Sequence, residues 1–154
     1  AESGLIKIGK TNGIDVKCYS NQELNDSGKT IDLLKTKKIE WIVLAGYLRK
    51  IPKELIDAYP NRIFNIHPSL LPKYGGKGMY GNFVHESVLL NKDKKSGITI
   101  HLVNEEYDKG KILIQKECEV LNSDSVLSLA KKVQKLEHEF FPKTIVQHIL
   151  KAEK

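Results

Sequence analysis

Residues 40–67 read EWIVLAGYLRKIPKELIDAYPNRIFNIH, and this stretch decides the fold. From Trp41 to Gly46 it is an almost unbroken apolar run, the pattern of a strand covered on both faces. Pro52 stands where a helix can begin and Pro60 where it must end, because proline is tolerated in a first turn and cannot continue the ladder. RIFNIH then reads as the next strand. A strand, a short helix and a second strand in this order predict a right-handed parallel crossover.

The flanks extend this unit. Upstream, residues 1–12 suit a helix closed by Asn12 and Gly13. IDVKCYS (14–20) alternates as a strand would, and DSGKTIDLLKTKKI (26–39) places Ile31, Leu34 and Ile39 on one helical face. Downstream, FVHESVLLNKD (83–93) reads as a helix. GITIHLV (97–103) and ILIQKECEV (112–120) read as neighbouring strands close enough to pair antiparallel. A final helix is expected from an N-cap at Ser123 or Asp124, with apolar residues at 126, 129, 130, 133 and 136. Pro142 is expected to kink or break it before Ile145, Ile149 and Leu150. The fold class is therefore α/β: one domain over residues 1–154, with a mostly parallel, mixed and twisted sheet and helices on both faces.

Composition narrows the function classes. The chain has 154 residues, 40% of them hydrophobic, enough for one domain with an ordinary core. Lys and Arg number 25 against 19 Asp and Glu, a net charge of +6 that favours anionic partners. The lysine clusters at 35–38 and 92–95 lie at helix ends and turns with few aromatics between them. They read as solvated faces, so nucleic acid is not expected as a partner. Cys18 and Cys118 are far apart and suggest no disulfide framework or metal cluster, in keeping with a reducing cytoplasm. No apolar run approaches the roughly 18 residues of a membrane span.

In open α/β sheets ligands bind beyond the carboxyl ends of the strands. There the second strand ends in Asn65 and His67, which share a face because strands repeat every two residues. An amide that can donate to an oxyanion beside an imidazole that can exchange a proton is a minimal kit for acyl transfer. The same pair also reads as a buried histidine bonded to backbone beside a turn-capping asparagine. Asp108 lies in a loop that the fold can return to this edge, where a carboxylate would raise the pKa of an imidazole. The glycines at 75, 76, 78 and 81 fit neither a P-loop nor a dinucleotide fingerprint. His101 reads as a packed or partner-bonded strand residue. His85, His138 and His148 lie on predicted helices without metal-ligand spacing, so no metal is expected.

With VLAGYLRKIP (43–52), NIHPSLLPKY (65–74), GITIHLVNEEYDKGKILIQ (97–115) and VQKLEHEFFP (133–142), the chain closely resembles the phosphoribosylglycinamide formyltransferases, folate-dependent enzymes of purine synthesis. The resemblance runs from about Gly4 to the C-terminus and implies a Rossmann-like formyltransferase fold. It implies Asn65, His67 and Asp108 as the catalytic trio and 10-formyltetrahydrofolate as formyl donor. The amine of 5-phosphoribosylglycinamide is the implied acceptor. Leu48, Arg49, Lys50 and Ile51 match the family's folate-binding segment. Asn104, Glu105, Glu106, Tyr107 and Asp108 match the loop around the pterin, and Asn65 also belongs to the folate site. Gln134, Lys135, Leu136 and Glu137 match the segment that contacts the ribonucleotide. A monomer or homodimer acting on small molecules, without membrane or nucleic acid, is the implied assembly.

Two departures accompany the resemblance. The family opens on a strand and a Gly-Ser-Asn turn that binds the substrate phosphate, and the match here begins after that unit. The domain is thus expected to lack its first strand and helix. The loop GGKGMYGNFVH (75–85) is longer and richer in glycine than in many members and reads as a flexible rim. Rival readings are another folate formyltransferase, a formyltetrahydrofolate deformylase, or a non-catalytic folate- or anion-binding module.

Overall fold

The computed structural model describes residues 4–20, 23 and 26–153. In chain order these form α1 (Gly4–Thr11), α2 (Ser27–Thr36), β1 (Ile42–Leu44), α3 (Lys53–Ala58) and β2 (Ile63–His67). They continue as α4 (Asn82–Leu90), β3 (Lys95–Leu102), β4 (Ile112–Glu119) and α5 (Val126–Ala152). The described strands make one sheet in the order β1-β2-β3-β4. The expected strand-helix-strand unit is parallel: β1 and β2 run in the same direction, with α3 between them running from its Pro52 N-cap. β3 is antiparallel to both β2 and β4. The sheet is mixed as expected, but among the described strands it is not mostly parallel: one pair is parallel and two are antiparallel.

Alternation along β2 sends its side chains to two cores, so one strand organises both layers. Phe64 points to the first, with Ile98, Ile100 and Leu102 of β3, Val88 of α4 and Leu129, Val133 and Phe141 of α5. Ile63 points to the second, with Ile51 and with Leu55 and Tyr59 at α3, backed by Ile31 and Leu34 of α2. Helices therefore cover both faces. Deleting a fully buried side chain such as Ile100 would cost about 2–5 kcal/mol.

Four local expectations need correction. IDVKCYS forms no strand: Ile14 N–H donates to the Gly9 carbonyl at 2.9 Å, and Val16 backs onto Gly9. The Asn12-Gly13 turn thus folds the segment against α1, where alternation has no strand to pair with. β1 is shorter and less covered than its apolar run suggests, with Val43 45% exposed, because it is an edge of the described sheet. The cap of α5 is Ser125, not Ser123 or Asp124. Its hydroxyl accepts from the Ser128 amide at 3.1 Å while the Ser128 hydroxyl accepts from the Ser125 amide at 2.9 Å. Asp124 braces this cap by accepting from the Ser128 hydroxyl and pairing with Lys132, and these contacts with the Leu121 amide hold its carboxyl down at about 2. Finally, α5 runs through Pro142 without ending. The proline is exposed, and so is His138, whose carbonyl loses its partner and can turn to water.

Candidate active site

The face of β2 opposite Phe64 and Ile66 becomes polar toward its carboxyl end. Asn65 pairs across to His101 and His67 to Thr99, so four polar side chains share one face of β2 and β3. Thr99 in turn lies opposite Gln115 of β4. Thr99 and His101 are buried and Asn65 is half-buried, so this polar strip is enclosed rather than washed by solvent. A one-residue slip of register would turn all of it into the apolar core.

Asp108 reaches the strip from the loop between β3 and β4. It holds a left-handed backbone conformation, φ 54°, which Asp tolerates better than most residues. Two glycines let the loop close. A Cβ on Gly110 would run into the Leu102 carbonyl, and Gly76, at φ 97°, donates its amide to Asp108 Oδ2 at 2.8 Å. The glycine-rich loop thus does carry an anion-binding amide, and its anion is the protein's own carboxylate.

Asp108 bridges two imidazoles. Oδ2 is 3.6 Å from His67 Nδ1, and Oδ1 is 3.6 Å from His101 Nε2. Burial alone would raise the Asp108 pKa, but His101, the Gly76 amide and His67 together bring it below the ordinary carboxylate value. His67 Nε2–H donates to the Tyr74 carbonyl at 2.6 Å. Burial is the largest influence on this ring and lowers its pKa. Asp108 and the Tyr74 carbonyl oppose that, His101 adds to it, and the net direction is downward. The expectation that Asp108 raises the pKa of His67 holds for that one interaction and is outweighed by desolvation.

Asn65 is aimed by His101. The His101 Nδ1–H donates to the Leu102 carbonyl at 3.1 Å, leaving Nε2 to accept from Asn65 Nδ2 at 3.2 Å. Among the described residues, the second amide hydrogen and the carbonyl oxygen of Asn65 have no partner. The site therefore offers a carboxylate, a buried ring of lowered pKa and an unsatisfied amide donor on one surface. Both readings of Asn65 and His67 contain part of the observed geometry, since His67 is indeed bonded to backbone.

The structure brings Asn65, His67 and Asp108 to one strand end, beside three neighbours that the sequence alone did not mark. His101 was read as packed or partner-bonded, which it is, but only the 65–101 register sets it opposite Asn65, with Asp108 3.6 Å away from the loop. Gln115 carried no signal before strand pairing was known. His85, buried on α4 with an unpartnered Nδ1, lies within electrostatic reach of His67, and burial and His67 both lower its pKa.

Of the other expected contacts, Asn104 to Tyr107 form an exposed turn in which Asn104 Oδ1 accepts from the Glu106 amide at 3.1 Å. Lys53 of α3 pairs with Glu105 at 2.5 Å, tying this turn to the helix that follows residues 48–51. Leu48 and Lys50 are exposed, Arg49 is half-buried, and Ile51 belongs to the second core. On α5, Gln134 and Lys135 are exposed and the Glu137 carboxyl is pushed up by burial. Leu136 packs against the first core, since four successive helical residues cannot share one face. Among the described residues no cluster of His, Cys, Asp and Glu could hold a metal, and no helix is long and apolar enough to cross a membrane.

Known proteins match this arrangement. Residues 7–145 match the formyl transferase family. The chain is 42% identical over 149 residues to the chloroplastic phosphoribosylglycinamide formyltransferase of Arabidopsis thaliana, covering 94% of this chain and 51% of that one. It is 37% identical over 131 residues to phosphoribosylglycinamide formyltransferase of Bacillus subtilis, covering 85% and 64%. The crystal structure of phosphoribosylglycinamide formyltransferase from Bacillus halodurans superposes with a TM-score of 0.84 at 33% identity, covering 98% of this chain and 78% of that one. The chain spans about half to two thirds of the length of these curated relatives. With its family match over most of its length, the chain belongs to the formyl transferases and, among them, sits with the phosphoribosylglycinamide formyltransferases.

Proposed function

We propose that the protein transfers the formyl group of 10-formyltetrahydrofolate to the amine of 5-phosphoribosylglycinamide, in a single formyltransferase domain of the cytoplasm. One observation carries the reading: Asp108, from a distant loop, meets His67 at the strand end that also presents Asn65.

The chemistry follows from these groups. The amine nitrogen bonds to the formyl carbon and the carbonyl oxygen becomes an oxyanion, to which Asn65 donates its unsatisfied amide hydrogen. His67, held neutral by burial, takes the proton that the amine loses, and Asp108 stabilises the resulting imidazolium. Collapse of the intermediate breaks the bond from carbon to folate N10, which receives that proton. No proton is gained or lost overall. Leu48, Arg49, Lys50 and Ile51 with residues 104–108 form the folate side of the site, and Gln134, Lys135, Leu136 and Glu137 the segment toward the ribonucleotide. The Lys53–Glu105 pair supports this division by tying the 104–108 loop to the helix that follows residues 48–51.

Product analysis tests the reading. Incubation with both substrates is expected to give formylated ribonucleotide and tetrahydrofolate. Free formate released without ribonucleotide would show a deformylase instead, and binding of folate without turnover would show a binding module.

A further inference from the structure

The turn that follows β2 is held by a hydrogen-bond set with no spare member. Gln115 Nε2 donates one hydrogen to the Leu71 carbonyl and the other to Thr99 Oγ1, each at 2.9 Å. Thr99 donates its own hydrogen to the Ser69 carbonyl at 2.7 Å and accepts from the Leu71 amide at 3.0 Å. A hydroxyl has one hydrogen and two lone pairs, and an amide nitrogen has two hydrogens; here every one is used. Thr99 and Ser69 are fully buried, while Gln115 lies at an exposed position of β4 and closes the set from the solvent side.

The turn carries this constraint to the site. Ser69 Oγ donates to the Lys73 carbonyl at 2.6 Å, closing residues 69–73, and the next residue offers the carbonyl that receives His67 Nε2–H. A carbonyl can only accept, so its position decides which nitrogen of His67 bears the hydrogen and leaves the Nδ1 lone pair toward Asp108.

We infer that Gln115 is a positioning residue for His67: by locking Leu71 and Thr99 it places the Tyr74 carbonyl, and through it the tautomer and direction of the ring. The inference rests on His67 being the reacting imidazole. An amide that merely fills the space between β3 and β4 would affect stability and leave the ring unchanged.

The test compares Gln115→Glu, which keeps shape and loses both donated hydrogens, with Thr99→Val and Thr99→Ser. The first readout is solvent exchange of the His67 Nε2–H proton by NMR. Exchange is expected to quicken by about tenfold or more in Gln115→Glu and Thr99→Val, the effect of about one lost hydrogen bond, and to stay near wild type in Thr99→Ser. The second is formyl transfer, with kcat expected to fall by roughly tenfold to a hundredfold and KM little changed. Folded Gln115→Glu or Thr99→Val protein with wild-type exchange and kcat overturns the inference. Should Gln115→Glu fail to fold, the two Thr99 variants make the same comparison. Should the wild-type protein transfer no formyl group, the proposed function fails while proton exchange still decides the role of Gln115.

Discussion

His67 Nδ1 and Asp108 Oδ2 stand 3.6 Å apart, too far for a full hydrogen bond and close enough for an ion pair once the ring is protonated. The pair is thus poised between two states. Burial favours the neutral ring, and the carboxylate favours the charged one. Asp108→Asn keeps the shape and removes the charge, so the pKa of His67 should fall further and kcat should drop by about a hundredfold. Histidine NMR titration beside steady-state kinetics measures both, and an unchanged His67 midpoint would disprove the coupling.

Stability should decline in mild acid. The folded-state pKa values of His67 and His85 lie below the ordinary value near ~6.5, so the unfolded chain binds protons first as pH falls. Their contribution is complete above about pH 6.5 and is lost as pH drops through the folded values. Asp108 and Asp124 act in the same sense at lower pH: their contribution is present above about 4 and disappears as pH falls, for Asp124 toward about 2. Denaturant unfolding at a series of pH values should show stability rising from about pH 5 to 7; a flat or falling profile contradicts these environments.

Gly110→Ala should damage the site from outside it. The added methyl meets the Leu102 carbonyl, a backbone atom that cannot yield without moving β3. The loop bearing Asp108 must shift, so both melting temperature and kcat should fall. A variant with normal stability and activity would show that the close approach is dispensable.

Pro142→Ala should stabilise the protein. It restores a hydrogen bond within a continuous, exposed helical turn, and proline is about 3 kcal/mol worse than alanine inside a helix. A gain of about 1–3 kcal/mol in denaturant unfolding is expected; a loss would mean that the proline fixes a bend that packing needs.

What could be read in advance was whatever depends on local pattern. The crossover, the strand ending in Asn65 and His67, and the face of α5 all follow from periodicity and proline placement. What escaped depends on pairing between distant segments. Alternation marked GITIHLV as a strand, yet only its register against β2 sets His101 opposite Asn65. The same alternation in IDVKCYS led to no strand because the chain turns back onto α1. Glycine spacing matched no P-loop, and the amide that Gly76 gives to Asp108 joins residues 32 apart, beyond any local signal.

His67 is the group on which the proposed formyl transfer depends. The direct measurement is the rate at which wild-type and His67→Ala proteins move the formyl group from 10-formyltetrahydrofolate to 5-phosphoribosylglycinamide, with matched folding checked by circular dichroism. The turnover number is expected to be lower by about a hundredfold or more in the folded variant; a variant as fast as wild type would rule out His67 as the reacting imidazole.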